Sequence, residues 1–184
     1  KIILDYPEAD DKAAGREKLT VDKDTKEYGI TTDLTINRIV DLDLNGNVVK
    51  GNVSISSTEA ADYVEILNNN VERKQAYILG NEKNTEKDVT LLINTPNAGV
   101  KIFDSIKVSK NGKSENAMKV NGVTSNTLEN QATYDGNVLL AAGNIGFKNL
   151  TDSAFITNGK IVVDTTGTVY MRGLYYGEEA DMEK

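Results

Sequence analysis

The sequence predicts an all-β chain wound as a right-handed parallel β-helix, a solenoid, behind a short N-terminal lead-in. Three observations carry that prediction. Apolar segments of three to five residues recur from Tyr28 onward, most with the period of two that a strand with one buried face requires. The breaks between them are Asn-Gly, Gly-Asn, Asp-Gly and Thr-Gly, the composition of tight turns. Asn occurs twenty times against two Pro, and Asn both tolerates left-handed backbone and bonds its own chain at a corner. Asn also stacks on a copy of itself in the next coil. An antiparallel β-sandwich is the alternative architecture that such strands allow. The segments are shorter than the ~5–6 residues of ordinary strands, which favours the solenoid.

Residues 1–27 read as the lead-in or cap. They turn acidic directly after Lys1-Ile2-Ile3-Leu4, which is no signal peptide, and without an initiating Met the chain reads as a mature or excised segment. Glu8 to Lys18 has a helical texture that Gly15 weakens. Residues 28–173 form the expected solenoid. Its strand segments are Leu34–Ile36, Val40–Leu44, Val53–Ile55, Val89–Ile93, Val100–Ile102, Ile106–Val108, Val138–Leu140, Ile145–Phe147, Ile161–Val163 and Val169–Met171. Ser57 to Leu67 fits either a capped helix or a strand using Val64 and Ile66, and Gly80 to Asp88 reads as a protruding loop. Asn37, Asn45, Asn94, Asn121 and Asn144 stand at would-be corners. The repeat is loose: Ile36 to Ile55 is 19 residues and Ile145 to Ile161 is 16. Residues 174–184 form an acidic tail.

Composition excludes much chemistry. The chain has no Cys and no His, so zinc fingers, thiol nucleophiles and triads with an imidazole base are ruled out. A net charge of −7 with scattered cations argues against nucleic acid, whose binding needs a basic face. No run of eighteen apolar residues is present to insert into a membrane.

Two stretches carry a resemblance. Thr32-Asp33-Leu34-Thr35-Ile36-Asn37 is followed by Val40-Asp41-Leu42-Asp43-Leu44-Asn45-Gly46-Asn47 and by Val53-Ser54-Ile55. Leu92-Ile93-Asn94-Thr95-Pro96-Asn97-Ala98-Gly99-Val100 is followed by Val120 to Leu128. Together with the ending Val163 to Gly173 they resemble the β-helical, pectin-lyase-like segments of Gram-positive cell-surface and S-layer-type proteins. The resemblance spans about residues 28–173 and implies architecture without supplying a catalytic residue. It implies a secreted protein of the bacterial cell surface or wall, with other surface-protein copies or cell-wall or host glycans as partners. Independently of it, Leu42 and Leu44 are expected to point inward with Asp41 and Asp43 outward, Asn45-Gly46 to turn a corner, and Pro96 to fix another.

Two groups are candidate sites. Asp33, Asp41 and Asp43 are the candidates for calcium, a hard cation that takes carboxylate oxygens, although a solvated strand face explains the same pattern. No other cofactor is expected. Tyr170, Arg172, Tyr175 and Tyr176 form the densest aromatic spot, suited to stacking on sugars, to anchoring an interface, or to capping the last coil. Catalysis by proton abstraction needs a base placed opposite a metal-bound substrate. Lys101, Lys107, Arg172, Arg38 and Arg73 have no such placement, so no enzyme activity is expected. The expected function is a structural or adhesive segment, with a carbohydrate-binding module, or a remnant of a polysaccharide-active enzyme, as the alternative.

Overall fold

The computed structural model describes residues 1–4, 18–20, 26–123 and 127–173. The stretch Glu8 to Lys18, whose texture allows a helix, lies outside them except for Lys18, which opens a strand, and the acidic tail lies outside them altogether.

Strands β1 (Ile2–Ile3), β2 (Lys18–Thr20) and β3 (Lys26–Ile30) come first. Five coils of three strands follow. They are β4 (Leu34–Ile36), β5 (Leu42–Asp43) and β6 (Val48–Val49); β7 (Val53–Ser56), β8 (Ala61–Leu67) and β9 (Ala76–Ile78); and β10 (Leu91–Thr95), β11 (Ala98–Ile102) and β12 (Ile106–Ser109). Then come β13 (Asn116–Val123), β14 (Leu128–Asn130) and β15 (Thr133–Asp135), and β16 (Asn137–Ala142), β17 (Ile145–Asn149) and β18 (Ile156–Thr157). A last partial coil has β19 (Ile161–Val163) and β20 (Val169–Arg172).

Equivalent strands stack into three sheets. Sheet 1 runs β1-β5-β8-β11-β14-β17-β20, sheet 2 runs β4-β7-β10-β13-β16-β19, and sheet 3 runs β2-β3-β6-β9-β12-β15-β18. Every pairing among the described residues is parallel except β2 with β3. The chain is a parallel β-helix, and the antiparallel sandwich is excluded.

The period-two pattern becomes columns of like side chains. In sheet 2, Ile36, Ile55, Ile93, Val120, Leu140 and Val163 stack in register, as do Leu34, Val53, Leu91, Met118, Val138 and Ile161. In sheet 1, Val64, Val100, Leu128, Phe147 and Met171 do the same. The inner columns of the middle coils are fully buried, so each coil's apolar face is removed from water by its neighbours. Burial of this kind is the dominant favourable term in folding. Phe155 fills the corner of the fifth coil, stacked on Phe147 at 5.7 Å and edge-on to Tyr134 at 6.5 Å between ring centroids.

Ser57 to Leu67 resolves as a strand over Ala61–Leu67, with Val64 and Ile66 fully buried. Flanking parallel strands satisfy its backbone on both sides, which a helix there would forgo. Asn45 and Gly46 turn their corner with φ of 47° and 73°, and Pro96 sits between β10 and β11 as expected. Asn94 and Asn121 differ from expectation. They lie within β10 and β13, stacked in register, and Asn94 Nδ2 donates to Ser56 Oγ at 2.9 Å. Ile145 and Ile161 belong to different sheets, so their spacing marks no repeat.

The connections set what each face displays. Between sheets 3 and 2 the chain needs three residues after β6 and one, Gly136, after β15, but residues 79–90 after β9. That long loop contains the predicted Gly80 to Asp88 protrusion.

Candidate functional site: the outer face of the first sheet

The outward positions of sheet 1 make a charged column. Glu65, Lys101, Glu129, Lys148 and Arg172 are in register along β8, β11, β14, β17 and β20. Glu65, Lys101, Glu129 and Lys148 each adjoin a buried residue, so the strand pleat directs them to solvent, and Arg172 continues their register at the exposed end. Lys148 Nζ lies 3.5 Å from Glu129 Oε1. Lys101 Nζ sits 4.2 Å from the Tyr63 ring centroid, within cation–π range. The ring lies over Gly99, where an added Cβ would stand 2.9 Å from two of its carbons. At the far end Tyr170 pairs with Gly146 and is 69% exposed. Tyr63 and Tyr170 are thus four strand spacings apart, about 19 Å at ~4.8 Å each. Between them glycines and charged side chains line the face, and a recess of about 40 Å³ lies beside Lys101, Phe103, Glu129 and Leu150. Opposed charges, flat backbone and two rings suit contact with polar surfaces or polymers. No base stands opposite a carboxylate cluster here.

The predicted calcium residues are not brought together. Asp33, exposed at the corner before β4, accepts from Asn52 N at 2.8 Å and from Asn81 Nδ2 at 3.2 Å. Asp41 Oδ1 accepts from Glu65 N at 3.0 Å. Asp43 corrects the expectation of an outward carboxylate: it is 3% exposed. Strand β5 is only two residues long, so alternation fails where the chain turns, and the carboxylate swings in to satisfy the corner. Asp43 Oδ1 accepts from Asn45 N at 3.0 Å and Asn69 N at 3.1 Å, and Oδ2 lies 3.1 Å from Lys1 Nζ. Among the described residues no three acidic side chains converge as metal ligands do. Tyr170 and Arg172 share the outer face of β20, and Tyr175 and Tyr176 lie outside the described residues. Arg38 is paired with Glu59 at 3.2 Å.

Burial alone raises the carboxyl pKa of Asp43, but the Asn69 and Asn45 amides and the Lys1 ammonium outweigh it and hold the group below its ordinary 3.8. A lowered folded-state pKa means the folded state binds its proton later than the unfolded chain does. The stabilisation is therefore present above pH 3.8 and is lost as pH falls below that value. Acid titration of unfolding is expected to show a stability loss in that window that Asp43→Asn largely removes. An identical acid profile in the variant rules this role out.

Sequence reasoning missed a polar ladder at the corner between sheets 1 and 3. Asn130 and Asn149 are buried, Asn130 Nδ2 donates to Asn149 Oδ1 at 3.2 Å and to Ala132 O at 3.0 Å, and Tyr134 Oη donates to Asn130 Oδ1 at 2.6 Å. Asn149 Nδ2 in turn donates to Gly173 O at 3.0 Å. The signal for it was present: Asn130 and Asn149 have the same 19-residue spacing as Ile36 and Ile55.

No protein-family model matches this sequence, and no curated protein or solved structure matches it either. No helix among the described residues is long and apolar enough to cross a membrane.

Proposed function

We propose that the chain is a structural or adhesive segment of a secreted bacterial cell-surface protein of S-layer type: a stiff rod with an interaction face and no catalytic role. The observation that carries this reading is the continuity of the three parallel sheets through every coil. Each inner strand is hydrogen-bonded on both sides and each apolar column has neighbours above and below. Bending or local opening then breaks several contacts at once. The outward column of sheet 1 supplies the interaction face, towards other copies or towards wall or host glycans.

Sedimentation over a concentration series, with calcium and then with chelator, tests this. Ordered association that grows with concentration supports the scaffold, and its loss in chelator assigns calcium to the contact. A monomer at every concentration that binds no glycan removes the reading.

A second reading, a carbohydrate-binding module, is favoured by two tyrosines on one outer face: Tyr63 packed over Gly99, and the exposed Tyr170 paired with Gly146 in the ladder. It predicts saturable glycan binding by the monomer, reduced when Tyr170 is replaced by Ala.

A further inference from the structure

The long loop 79–90 builds a cleft that neither reading above uses. Its floor is the outer face of sheet 2, with Ser54, Leu92, Lys119 and Asn121, and its wall is the loop, with Lys87, Asp88 and Val89 among the lining residues. It holds about 270 Å³, below the ~300–1,000 Å³ of drug-sized pockets. The occupant it fits is correspondingly small.

The wall is held in place. Thr85 N donates to Asp88 Oδ2 at 2.8 Å, Ser114 Oγ of the next coil's loop donates to Asp88 O, and Lys113 N donates to Asn84 O at 3.1 Å. Asn84 itself is 3% exposed and anchors the loop against Gly112. This connection is a tied insertion, of the kind that carries function on a rigid scaffold.

The lining is rich in donors and cations. Among the described residues neither Lys87 nor Lys119 meets a carboxylate at ion-pair distance, whereas Lys1, Arg38, Lys50, Lys110 and Lys148 each do. Asn52 Oδ1 already accepts from Asn81 N at 3.0 Å, which leaves its NH₂ as the free group. Asn121 and Ser54 add an amide and a hydroxyl. The Asp88 carboxylate is engaged by Thr85 N and does not neutralise both lysines. Charge-assisted donors lining one partly enclosed space fit an acceptor with several oxygens, and Leu92 and Val89 offer an apolar side for its body.

We propose that this cleft binds a small oxyanion, a carboxylate or phosphate group on a compact body, with Lys119 and Lys87 as its charge partners. The proposal rests on the cleft alone and stands or falls independently of the scaffold reading.

Amide chemical shifts of the ¹⁵N-labelled chain, followed at low ionic strength during titration with inorganic phosphate and separately with succinate, test it. Saturable shifts confined to residues 52–54, 87–92 and 119–121 are expected with at least one probe. The probe that saturates identifies phosphate or carboxylate as the preferred group. Lys119→Gln and Lys87→Gln should each weaken binding about tenfold, with an unchanged thermal melt. Lys107→Gln, on sheet 3, should leave it as it is. Shifts spread over all lysines without saturation, shifts from neither probe, or binding undiminished in both cleft variants would overturn the assignment.

Discussion

Ile93→Ala is expected to cost ~2–5 kcal/mol, the range for deleting a fully buried aliphatic side chain. The same change at Ile161 should cost less than about 1 kcal/mol. Both residues sit in inward columns of sheet 2. Ile93 stacks between Ile55 and Val120 and is fully buried, whereas Ile161 has Val138 on one side and no described strand on the other. In a solenoid stability is close to a sum over coils and their interfaces. A cavity in the third coil therefore weakens two interfaces, and one in the last coil weakens one that is already half open. Urea unfolding of the two variants measures the contrast through the midpoint, with the slope as a check that unfolding stays cooperative. Equal losses at the two positions would contradict the stacked-coil account of stability.

The same difference between middle and end is visible without mutation. Val163 is 49% exposed and Met171 47%, although each continues a column that is otherwise buried. The pleat still points them inward, but the coil that would cover them is not among the described strands. Periodicity in a sequence gives the direction of a side chain, while its burial is set by the neighbouring coil.

This explains which parts of the fold were legible. Ile36 and Ile55 read as a repeat because only a short connection separates their coils, and they are stacked in register. The next residue in that column, Ile93, stands at twice the spacing, because the long β8 and the loop 79–90 intervene. The period therefore looks loose even though the ladder is continuous. Strand β6 is too short to display an alternation, and in β9 and β15 the buried Ala76 and Tyr134 are not the branched aliphatic residues that mark the other strands. The inward positions of β14 and β17 that face the corner are Asn130 and Asn149, which a search for apolar residues passes over.

The candidate site was legible to the same degree. Tyr170 and Arg172 lie on the outer face as their alternation with Val169 and Met171 requires. The charged column to which Arg172 belongs was hidden, because its members are separated by whole coils and only the register brings them together. Asp43 failed for the opposite reason. Its alternation with Leu42 and Leu44 was correctly seen, and both leucines are buried, but a corner follows at once and turns its carboxylate toward backbone amides. Where the strand ends, local hydrogen-bond demand outranks the pleat.

The buried corner ladder gives the second large effect. Asn130→Ala is expected to cost about 3 kcal/mol, because it strands the Tyr134 hydroxyl and the Asn149 oxygen in a water-free interior. Tyr134→Phe should cost less, about 1–2 kcal/mol, since it leaves one carbonyl oxygen short of a donor while keeping the ring packed on Phe155. If the 2.6 Å bond between them is a true coupling, the double variant will fall short of the sum by about 1 kcal/mol or more. Strict additivity would show that the two residues contribute separately. The phenol's burial gives an independent check. Desolvation raises its pKa far above the ordinary 10.0, so the folded state keeps the proton that the unfolded chain releases. Stability is therefore present below pH 10 and declines as pH rises above it. Tyr134→Phe should flatten that alkaline decline. The hydroxyl that donates to Asn130 and the one that resists ionisation are the same group, and a single substitution removes both effects.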